Sequence, residues 1–318
     1  MTTYDTPILP WNTPLTHQPR HDYNIYRLRA YRRLDAVFMT APTVFFDDTT
    51  RLVFFSDTHR GDNSRLDAFS ANEALFLHAL HHYYQNGFTY VEVGDGDELW
   101  KNHHFHTIRA AHGQVFEWFH RFDEQQRLHL LFGNHDISGA KCQQIDKDGM
   151  IAREGLILQH RRTGQQLFVI HGHQADFKSD LCYPLSRMAV RRIWRRLQVW
   201  RLAPVASPNA EKRPPRPFER YLIEWATRNN RMLICGHTHR TVSAVNGETS
   251  YFNTGHCVTP GVITGLEIQN GEIGLVRWRA MPGRIAPFDR EVLQAPCKLK
   301  YFNHPVTRKA ETIPAVTG

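Results

Sequence analysis

Five apolar runs in this chain each end in a short group of polar residues, and this repeated pattern constrains the fold more than any other feature. The runs are residues 51–56, 91–93, 127–132, 166–170 and 232–235, and the polar groups after them contain Asp57 and His59, Asp95, Asn134 with His135 and Asp136, His171 with His173, and His237 with His239. Strands of open α/β folds collect their ligands at their carboxyl ends. The sequence therefore predicts one rim that gathers oxygen and nitrogen ligands from five strands.

The order of elements around these runs predicts a mixed α/β fold. Strands alternate with helices from residue 51 to residue 132, which is typical of βαβ units and a parallel sheet. Helices are predicted at residues 23–39, 71–85, 107–125, 184–202 and 218–228, the second of them with a capping box at Ser70–Glu73. A hairpin is predicted between residues 155–159 and 166–170, and Asn246-Gly247 and Asn270-Gly271 indicate two more. The second half of the sheet system is therefore predicted to be antiparallel.

The chain divides into three parts by pattern. Residues 1–40 form an irregular arm followed by a basic helix, residues 41–280 form the main domain, and residues 281–318 form a C-terminal tail on the surface. Residues 174–230 are a helical insertion beside the ligand rim and a candidate lid. Its first helix has an arginine-rich face made of Arg187, Arg191, Arg192, Arg195 and Arg196.

Composition restricts the class of protein and its surroundings. Hydrophobic residues make up 41% of the 318 residues and charged residues 22%, as in globular proteins. The excess of 39 Lys and Arg over 31 Asp and Glu favours anionic partners, which include phosphates, nucleic acid and an acidic membrane surface. Five scattered cysteines, without a Cys-x-x-Cys pair, favour a reducing cytoplasm. No segment has the pattern of a signal peptide or of a membrane-spanning helix.

The polar groups at the strand ends have the composition of a metal site. Carboxylate, imidazole and amide donors without thiolate suit manganese, iron or zinc. Seven such ligands are too many for one tetrahedral ion but fit two ions about 3.5–4 Å apart, which share a carboxylate and clamp the oxygens of a phosphoryl displacement. His103, His104 and His106 follow Lys101 and Asn102 at a helix start, and we interpret them as ordinary surface histidines.

Read in order, these groups resemble the five motif blocks of the calcineurin-like metallophosphoesterases. The blocks are Asp57-x-His59, Gly94-Asp95-x-x-Glu98, Gly133-Asn134-His135-Asp136, His171-Gly172 and Gly236-His237-x-His239, and the resemblance spans residues 43–278. It implies a four-layer αββα sandwich of two mixed sheets. It also implies two divalent cations, one bound by Asp57, His59 and His239, the other by Asn134, His171 and His237, with Asp95 bridging them.

The same resemblance implies a mechanism. A hydroxide that bridges the cations would be the nucleophile, with its pKa lowered by both of them. His135 would donate to the leaving group or stabilise developing charge, and Asp136 would orient His135.

Three further residues have expected roles. Arg60, next to His59, is expected to contact a phosphate. Asp97 is expected to hydrogen-bond a ligand histidine, and His256 to line the pocket.

Within the superfamily, the sequence resembles the UDP-2,3-diacylglucosamine pyrophosphatases of lipid A synthesis. Ser56-Asp57-Thr58-His59, Glu98 with Trp100, and the basic helical insertion carry it. That branch has Arg at the position of His135 and Asp at the position of His173. A lipid-linked pyrophosphate substrate is therefore one expectation, and a nucleotide or nucleic-acid ester is the alternative.

A different class of function is also compatible with the sequence. The arginine-rich insertion and the basic N-terminal helix would suit a non-catalytic module that binds an anionic membrane or nucleic acid. They would equally suit an active enzyme that makes peripheral contact with anionic lipid.

Overall fold

Two mixed β-sheets form the centre of the molecule in a computed structural model. The structure describes residues 25–102, 104–137, 144–180, 216–243, 250–281, 283 and 287–299. The strands are β1 Thr43–Phe46, β2 Leu52–Phe55, β3 Thr89–Val93, β4 Leu128–Leu131, β5 Gln144–Lys147, β6 Met150–Arg153, β7 Gly155–His160, β8 Gln166–Ile170, β9 Met232–Cys235, β10 Thr241–Val242, β11 Tyr251–Thr254, β12 Val262–Gln269, β13 Glu272–Ala280, β14 Phe288–Val292 and β15 Cys297–Lys298. One sheet has the order β1-β7-β8-β9-β11-β10, and the other has the order β14-β13-β12-β2-β3-β4-β6-β5 with β15 paired to β13.

Helices cover the outer face of each sheet. Among the described residues the α-helices are α1 Ile25–Thr40, α2 Glu73–Gln85, α3 Phe105–Ala111, α4 Gly113–Glu124, α5 Phe177–Asp180 and α6 Pro217–Arg228. Helices α2 and α4 share an apolar cluster with the sheet that contains β2, whereas α1 and α6 share one with the sheet that contains β8. A third cluster fills the space between the two sheets. The expected four-layer αββα sandwich is therefore confirmed.

The layer between the sheets holds the strand ends in a fixed frame. Phe54 and Val91 from one sheet and Leu158 and Val169 from the other are fully buried there. Burying a side chain of this size contributes roughly 1.5–3 kcal/mol. Because several strands contribute to one packed layer, their carboxyl ends are fixed relative to one another.

Strand directions agree with the prediction in part. Strands β2, β3 and β4 are parallel, as expected from the alternation of strand and helix. The β7–β8 hairpin and the β12–β13 hairpin are confirmed, and Asn270 and Gly271 at the second turn have φ of +54° and +68°. The predicted antiparallel second half is wrong for β8, β9 and β11, which run parallel. Parallel neighbours need a long crossover connection, and residues 171–231 provide one between β8 and β9.

Several local predictions differ from the structure. Helix α2 begins at Glu73 after a 3₁₀ turn, Ser70–Asn72, and its N-terminus has no side-chain cap, so the capping box is wrong. The helix predicted at residues 107–125 is divided at His112, whose buried ring lies between Asp67 and Glu73. Helix α6 confirms the helix predicted at residues 218–228. The predicted helix at residues 184–202 and the Asn246-Gly247 turn lie outside the described residues.

The C-terminal region contributes to the sheet instead of only covering it. Strands β14 and β15 both pair with β13, so part of the predicted tail extends the larger sheet. In the part of the chain that the structure describes, no helix combines the length and the apolar character needed to cross a membrane.

Candidate metal centre

The predicted ligands lie on tight turns directly after the strands. Five of them have left-handed backbone conformations, with φ of +52° at Asp57, +49° at His59, +50° at Asp95, +66° at His237 and +58° at His239. Such conformations cost of order 1–3 kcal/mol each for residues other than glycine, and they cluster at functional sites. The same feature recurs after three different strands, so the fold maintains strained turns where the predicted ligands lie.

The turn after β4 requires a glycine because two other ligand loops approach it closely. An added Cβ at Gly133 would clash with Oδ1 of Asp95 and would lie 2.6 Å from the Asp95 backbone nitrogen and 2.7 Å from Cδ2 of His171. This close approach places the loop of Asn134 against Asp95 and His171.

Asp57, His59 and His239 form one ligand group, with donor atoms within 4.8 Å of one another. Nε2 of His239 lies 3.1 Å from Oδ1 of Asp57 and 3.3 Å from Nε2 of His59. The other oxygen of Asp57, Oδ2, accepts a 2.9 Å hydrogen bond from the backbone nitrogen of His237. Asp57 is therefore oriented by the loop after β9 while Oδ1 faces the two imidazoles.

Asp95, His171 and His237 form a second group of the same size. Oδ2 of Asp95 lies 3.1 Å from Nε2 of His171 and 3.8 Å from Nε2 of His59, so this one oxygen adjoins both groups. Nδ1 of His171 lies 2.9 Å from the carbonyl oxygen of Val93 and donates to it, which leaves Nε2 as the nitrogen that could bind a cation. Oδ1 of Asp95 accepts a 2.8 Å hydrogen bond from the backbone of His135.

Three buried atoms of these residues fit a bound cation. Among the described residues, Oδ1 of Asp57, Oδ1 of Asn134 and Nε2 of His171 have no hydrogen-bond partner. Oδ1 of Asp57 and Nε2 of His171 each have a ligand atom 3.1 Å away, but without hydrogen-bond geometry. Buried polar atoms left unpaired are costly, whereas bound divalent cations would satisfy all three.

The charges of the site favour cations. Burial alone would lower the pKa of His171, but the carboxylates of Asp95 and Asp57 raise it to about 9. Burial likewise opposes the charge of His59, and hydrogen bonds to Asp57 and Glu98 raise its pKa to about 10. Burial would raise the pKa of Asp95, but the imidazoles of His171 and His135 hold it well below its usual range. Without metal, protons would therefore occupy positions that a cation can take.

Glu98 connects the ligand group to His135. Its Oε1 lies 2.8 Å from Nδ1 of His135, and its Oε2 lies 3.2 Å from Nδ1 of His59. Trp100 stacks on the His135 ring, with centroids 4.1 Å apart and planes at 21°, and its Nε1 donates a 2.6 Å hydrogen bond to the carbonyl of Asn134. His135 is therefore held on one nitrogen and on one face, and Nε2 is its remaining polar atom.

Asp136 does not orient His135, so that prediction is corrected. Its Oδ2 accepts hydrogen bonds from the backbone nitrogens of Gly133 at 2.7 Å and Gly96 at 3.3 Å, and its Oδ1 accepts one from Asp97 at 2.7 Å. Asp136 instead ties the loop that carries Asn134 and His135 to the loop that carries Asp95. Glu98 is the carboxylate that contacts His135.

The prediction that Arg60 contacts a phosphate is also wrong. Its side chain is fully buried and makes two hydrogen bonds to Glu92, at 2.6 and 3.0 Å, and one to Asp97, at 2.9 Å. Asp97 likewise pairs with Arg60 and with Lys147, whose Nζ lies 2.8 Å away, and not with a ligand histidine as predicted. Nζ of Lys147 also donates to Asp136 at 2.7 Å. These charges form a buried network beneath the ligand loops.

Two other groups of histidines differ in their relation to the site. His256, expected to line the pocket, is buried and stacks on His239 with ring centroids 5.2 Å apart. Burial lowers its pKa to about 3, so it lies against His239 as a neutral ring. His104 and His106 are exposed and stack on each other, which agrees with their interpretation as surface residues, and His103 lies outside the described residues.

Some functional contacts could not be read from the sequence. Glu98 stands in the Gly-Asp-x-x-Glu block, which gave a signal for its position but not for its partners. Asp176, whose Oδ2 lies 3.3 Å from Nε2 of His237, belongs to no motif and gave no signal. His237 also contacts Phe218 at the start of α6, with ring centroids 5.5 Å apart.

The basic face of α1 is largely neutralised within the molecule. Arg29 and Arg33 pair with Asp180 at 2.9 and 3.3 Å, and Arg33 also pairs with Glu154. Arg27 lies 3.8 Å from Glu224. This helix therefore presents fewer unpaired cations to an anionic partner than its sequence suggested, and the arginine-rich segment at residues 184–202 lies outside the described residues.

The family model that the sequence matches covers all seven predicted ligands. The family model described as calcineurin-like phosphoesterase matches residues 50–241, which is more than half of the chain. A solved structure of Vacuolar Protein Sorting 29 from Cryptosporidium parvum matches with 12% identity and a TM-score of 0.39, covering 79% of this chain and 100% of that chain. The search of curated proteins gave no match.

Proposed function

This chain belongs to the calcineurin-like phosphoesterase family, and on that premise we propose that it hydrolyses a phosphate ester or a pyrophosphate at a site for two divalent cations. The observation that carries the proposal is the position of Asp95. Its carboxylate belongs to a ligand group with His59 and to another with His171 and His237. A single carboxylate between two groups of donors suits a pair of cations held close together.

In this proposal the ligands divide between the cations as the family pattern implies. Asp57, His59 and His239 would hold one cation, and Asn134, His171 and His237 the other, with Asp95 shared. When bound, the cations would supply Lewis acidity and make water reactive as a nucleophile at neutral pH. Manganese is our first choice, with iron or zinc as alternatives, because the described ligand groups contain carboxylate and imidazole but no thiolate.

His135 is the proposed proton donor to the leaving group. It lies in a ligand group with His59 and Asp95, so its ring reaches the atoms around which the reaction would occur. The bond from Nδ1 to Glu98 fixes the tautomer and leaves Nε2 for substrate. Trp100 covers one face of the ring and limits its rotation. In the protonated form, His135 would give its Nε2 proton to the departing oxygen or stabilise the charge that develops there.

The substrate is proposed at two levels. Any phosphorylated small molecule that reaches Asp95 and His135 suits the site, whether monoester, diester or pyrophosphate. A lipid-linked pyrophosphate such as UDP-2,3-diacylglucosamine is the finer proposal, and its support is the sequence resemblance at Ser56-Asp57-Thr58-His59, Glu98 and Trp100. A nucleotide or nucleic-acid ester is the alternative. Peripheral contact with an anionic membrane would accompany such a substrate.

A substrate panel with defined metals tests this function. The purified protein, stripped of metal and reloaded with Mn²⁺, is assayed on an aryl phosphate, a bis-aryl phosphate, cyclic nucleotides and UDP-2,3-diacylglucosamine. Hydrolysis of at least one of these, lost on chelation and restored by Mn²⁺, supports the proposal. No hydrolysis with Mn²⁺, Fe²⁺ or Zn²⁺, together with salt-sensitive binding to anionic liposomes or nucleic acid, would favour the non-catalytic binding module instead.

A further inference from the structure

Asp176 contacts His237 at Nε2, whereas two other histidines of the site make their hydrogen bonds through Nδ1. His59 and His171 engage their Nδ1 atoms with Glu98 and the Val93 carbonyl, so each offers Nε2. In His237 the order is reversed, since Nε2 lies 3.3 Å from Oδ2 of Asp176.

This contact determines which nitrogen of His237 can bind a cation. An ionised carboxylate only accepts hydrogen bonds, so Nε2 of His237 must be protonated and must donate the hydrogen bond to Asp176. Nδ1 of a neutral ring then holds the lone pair. Partners of this kind fix the tautomer and ring orientation of a ligand histidine, and losing one typically costs about 10–100-fold in metal affinity.

Asp176 is in turn held by the short helix α5, which begins at the next residue. Ser179 donates a 2.9 Å hydrogen bond from Oγ to Oδ2 of Asp176. The backbone nitrogen of Asp180 donates to the carbonyl of Asp176 at 2.8 Å. Asp176 therefore cannot move relative to His237 without disturbing α5.

Helix α1 clamps α5 through two kinds of contact. Arg29 and Arg33 pair with the carboxylate of Asp180, which is only 2% exposed. Tyr26 packs edge-on against Phe177 with centroids 5.1 Å apart, and the Arg29 guanidinium lies 4.8 Å from the same ring. Residues 25–40 lie before the region that the family model matches, so this clamp is an addition to the family's matched core.

We propose that Asp176 is a positioning residue for His237, and that α1 maintains it through Arg29, Arg33 and Asp180. The proposal rests on the function proposed above, because it assigns His237 to a cation. It makes an N-terminal helix outside the family match part of the support of the metal centre. It also assigns a role to arginines whose sequence pattern suggested a basic surface.

Metal binding by the full chain tests the proposal. Mn²⁺ is titrated into the metal-free wild type, Asp176→Ala, Asp176→Asn, the double variant Arg29→Met/Arg33→Met and Arg27→Met, and binding is followed by calorimetry. Asp176→Ala should weaken one of the two sites by about 10–100-fold and leave the other unchanged. The Asn variant, whose amide oxygen can still accept from Nε2, should recover much of the loss. The double variant should weaken the same site, whereas Arg27→Met, which alters only the pair with Glu224, should not.

A second readout does not depend on metal. Nitrogen-15 shifts of the His237 ring in the metal-free wild type should show Nε2 protonated and Nδ1 unprotonated, and Asp176→Ala should mix the tautomers. A wild-type ring protonated on Nδ1 alone would overturn the proposal, as would wild-type affinity at both sites in Asp176→Ala. If the wild type bound no Mn²⁺ but showed the expected tautomer, the proposed function would fail while the contact between Asp176 and His237 stood.

Discussion

Nδ1 of His135 donates a 2.8 Å hydrogen bond to Oε1 of Glu98, and the second oxygen of that carboxylate accepts from His59. One side chain thereby links the proposed proton donor to a proposed metal ligand. Because Glu98 is 4% exposed, the link is protected from competing water. The geometry of His135 and the geometry of the metal centre are therefore coupled.

Substitution of Glu98 by Gln should reduce both metal affinity and turnover. An amide can accept from only one of the two histidines and turns its NH₂ towards the other, which unsettles one ring. A loss of about 10–100-fold is expected, typical for the hydrogen-bond partner of a metal ligand. Steady-state kinetics at saturating Mn²⁺ measures it. Glu73→Gln, which alters a carboxylate bonded to His112 outside the site, is the matched control and should retain activity. Equal activity in both variants would contradict the role of Glu98.

Gly133→Ala should abolish tight metal binding. The new Cβ would clash with Oδ1 of Asp95, the proposed shared ligand, and no flexible group can yield there. Gly113→Ala is the control, since the nearest atom to its added Cβ is 3.4 Å away on the flexible side chain of Arg109. Dialysis against Mn²⁺ followed by elemental analysis compares the two proteins. Normal metal content in Gly133→Ala would show that Asp95 can move without loss.

Lys147→Met should destabilise the whole protein. Lys147 contacts three buried carboxylates, those of Glu92, Asp97 and Asp136. After the substitution Arg60, which pairs with Glu92 and Asp97, is the remaining cation of the buried network. Removing one partner of a buried ion pair costs about 3–5 kcal/mol, because the other charges stay desolvated. Urea denaturation measures the free energy of unfolding. Lys298→Met, at an exposed position on β15, should change it little, and equal stability of the two variants would refute the structural role of the network.

Metal binding should release protons at neutral pH. The raised pKa values of His59, about 10, and His171, about 9, mean that both rings are protonated at pH 7 in the metal-free protein. A cation requires neutral imidazole, so affinity should rise with pH until these values are passed. Calorimetry in buffers of different ionisation enthalpy counts the protons released. Binding heats independent of the buffer would contradict the expectation.

The same pKa values predict how pH affects the metal-free protein. A raised folded-state pKa stabilises the protein fully below the unfolded value near 6.5, and this contribution is lost as pH rises through 9 and 10. The free energy of unfolding of the metal-free protein should therefore decrease between pH 7 and pH 10. Saturating Mn²⁺ should reduce that decrease, because the cation replaces the protons.

The sequence alone indicated which side chains lie together because its signal is local. Each predicted ligand follows an apolar strand directly, and parallel strands place their carboxyl ends at one edge, so the order Asp57, Asp95, Asn134, His171, His237 could be read without coordinates. The direction of a side chain within a turn is not local in this sense. Asp95 has φ of +50°, and the backbone of Asp97 forms a β-bridge with Arg60 in the loop after β2. This backbone path places the Asp97 side chain beneath the site, and Glu98 contacts the histidines instead.

The remaining errors have the same origin. The position of Arg60 beside His59 favours a phosphate contact, but its guanidinium is satisfied by Asp97 and by Glu92, a residue of β3 whose partner no pattern identifies. Asp176 reaches His237 only after β8 and β9 have been placed side by side. Contacts between elements distant in sequence depend on the assembled sheets, and a single sequence does not reveal them.

The most direct test of the account is the number of Mn²⁺ ions bound per chain by the wild type and by Asp95→Ala, measured by equilibrium dialysis and elemental analysis. Because one carboxylate lies between both ligand groups, the wild type should bind two ions and Asp95→Ala at most one. Two ions bound with wild-type affinity by Asp95→Ala, or no more than one by the wild type, would contradict the proposed shared site.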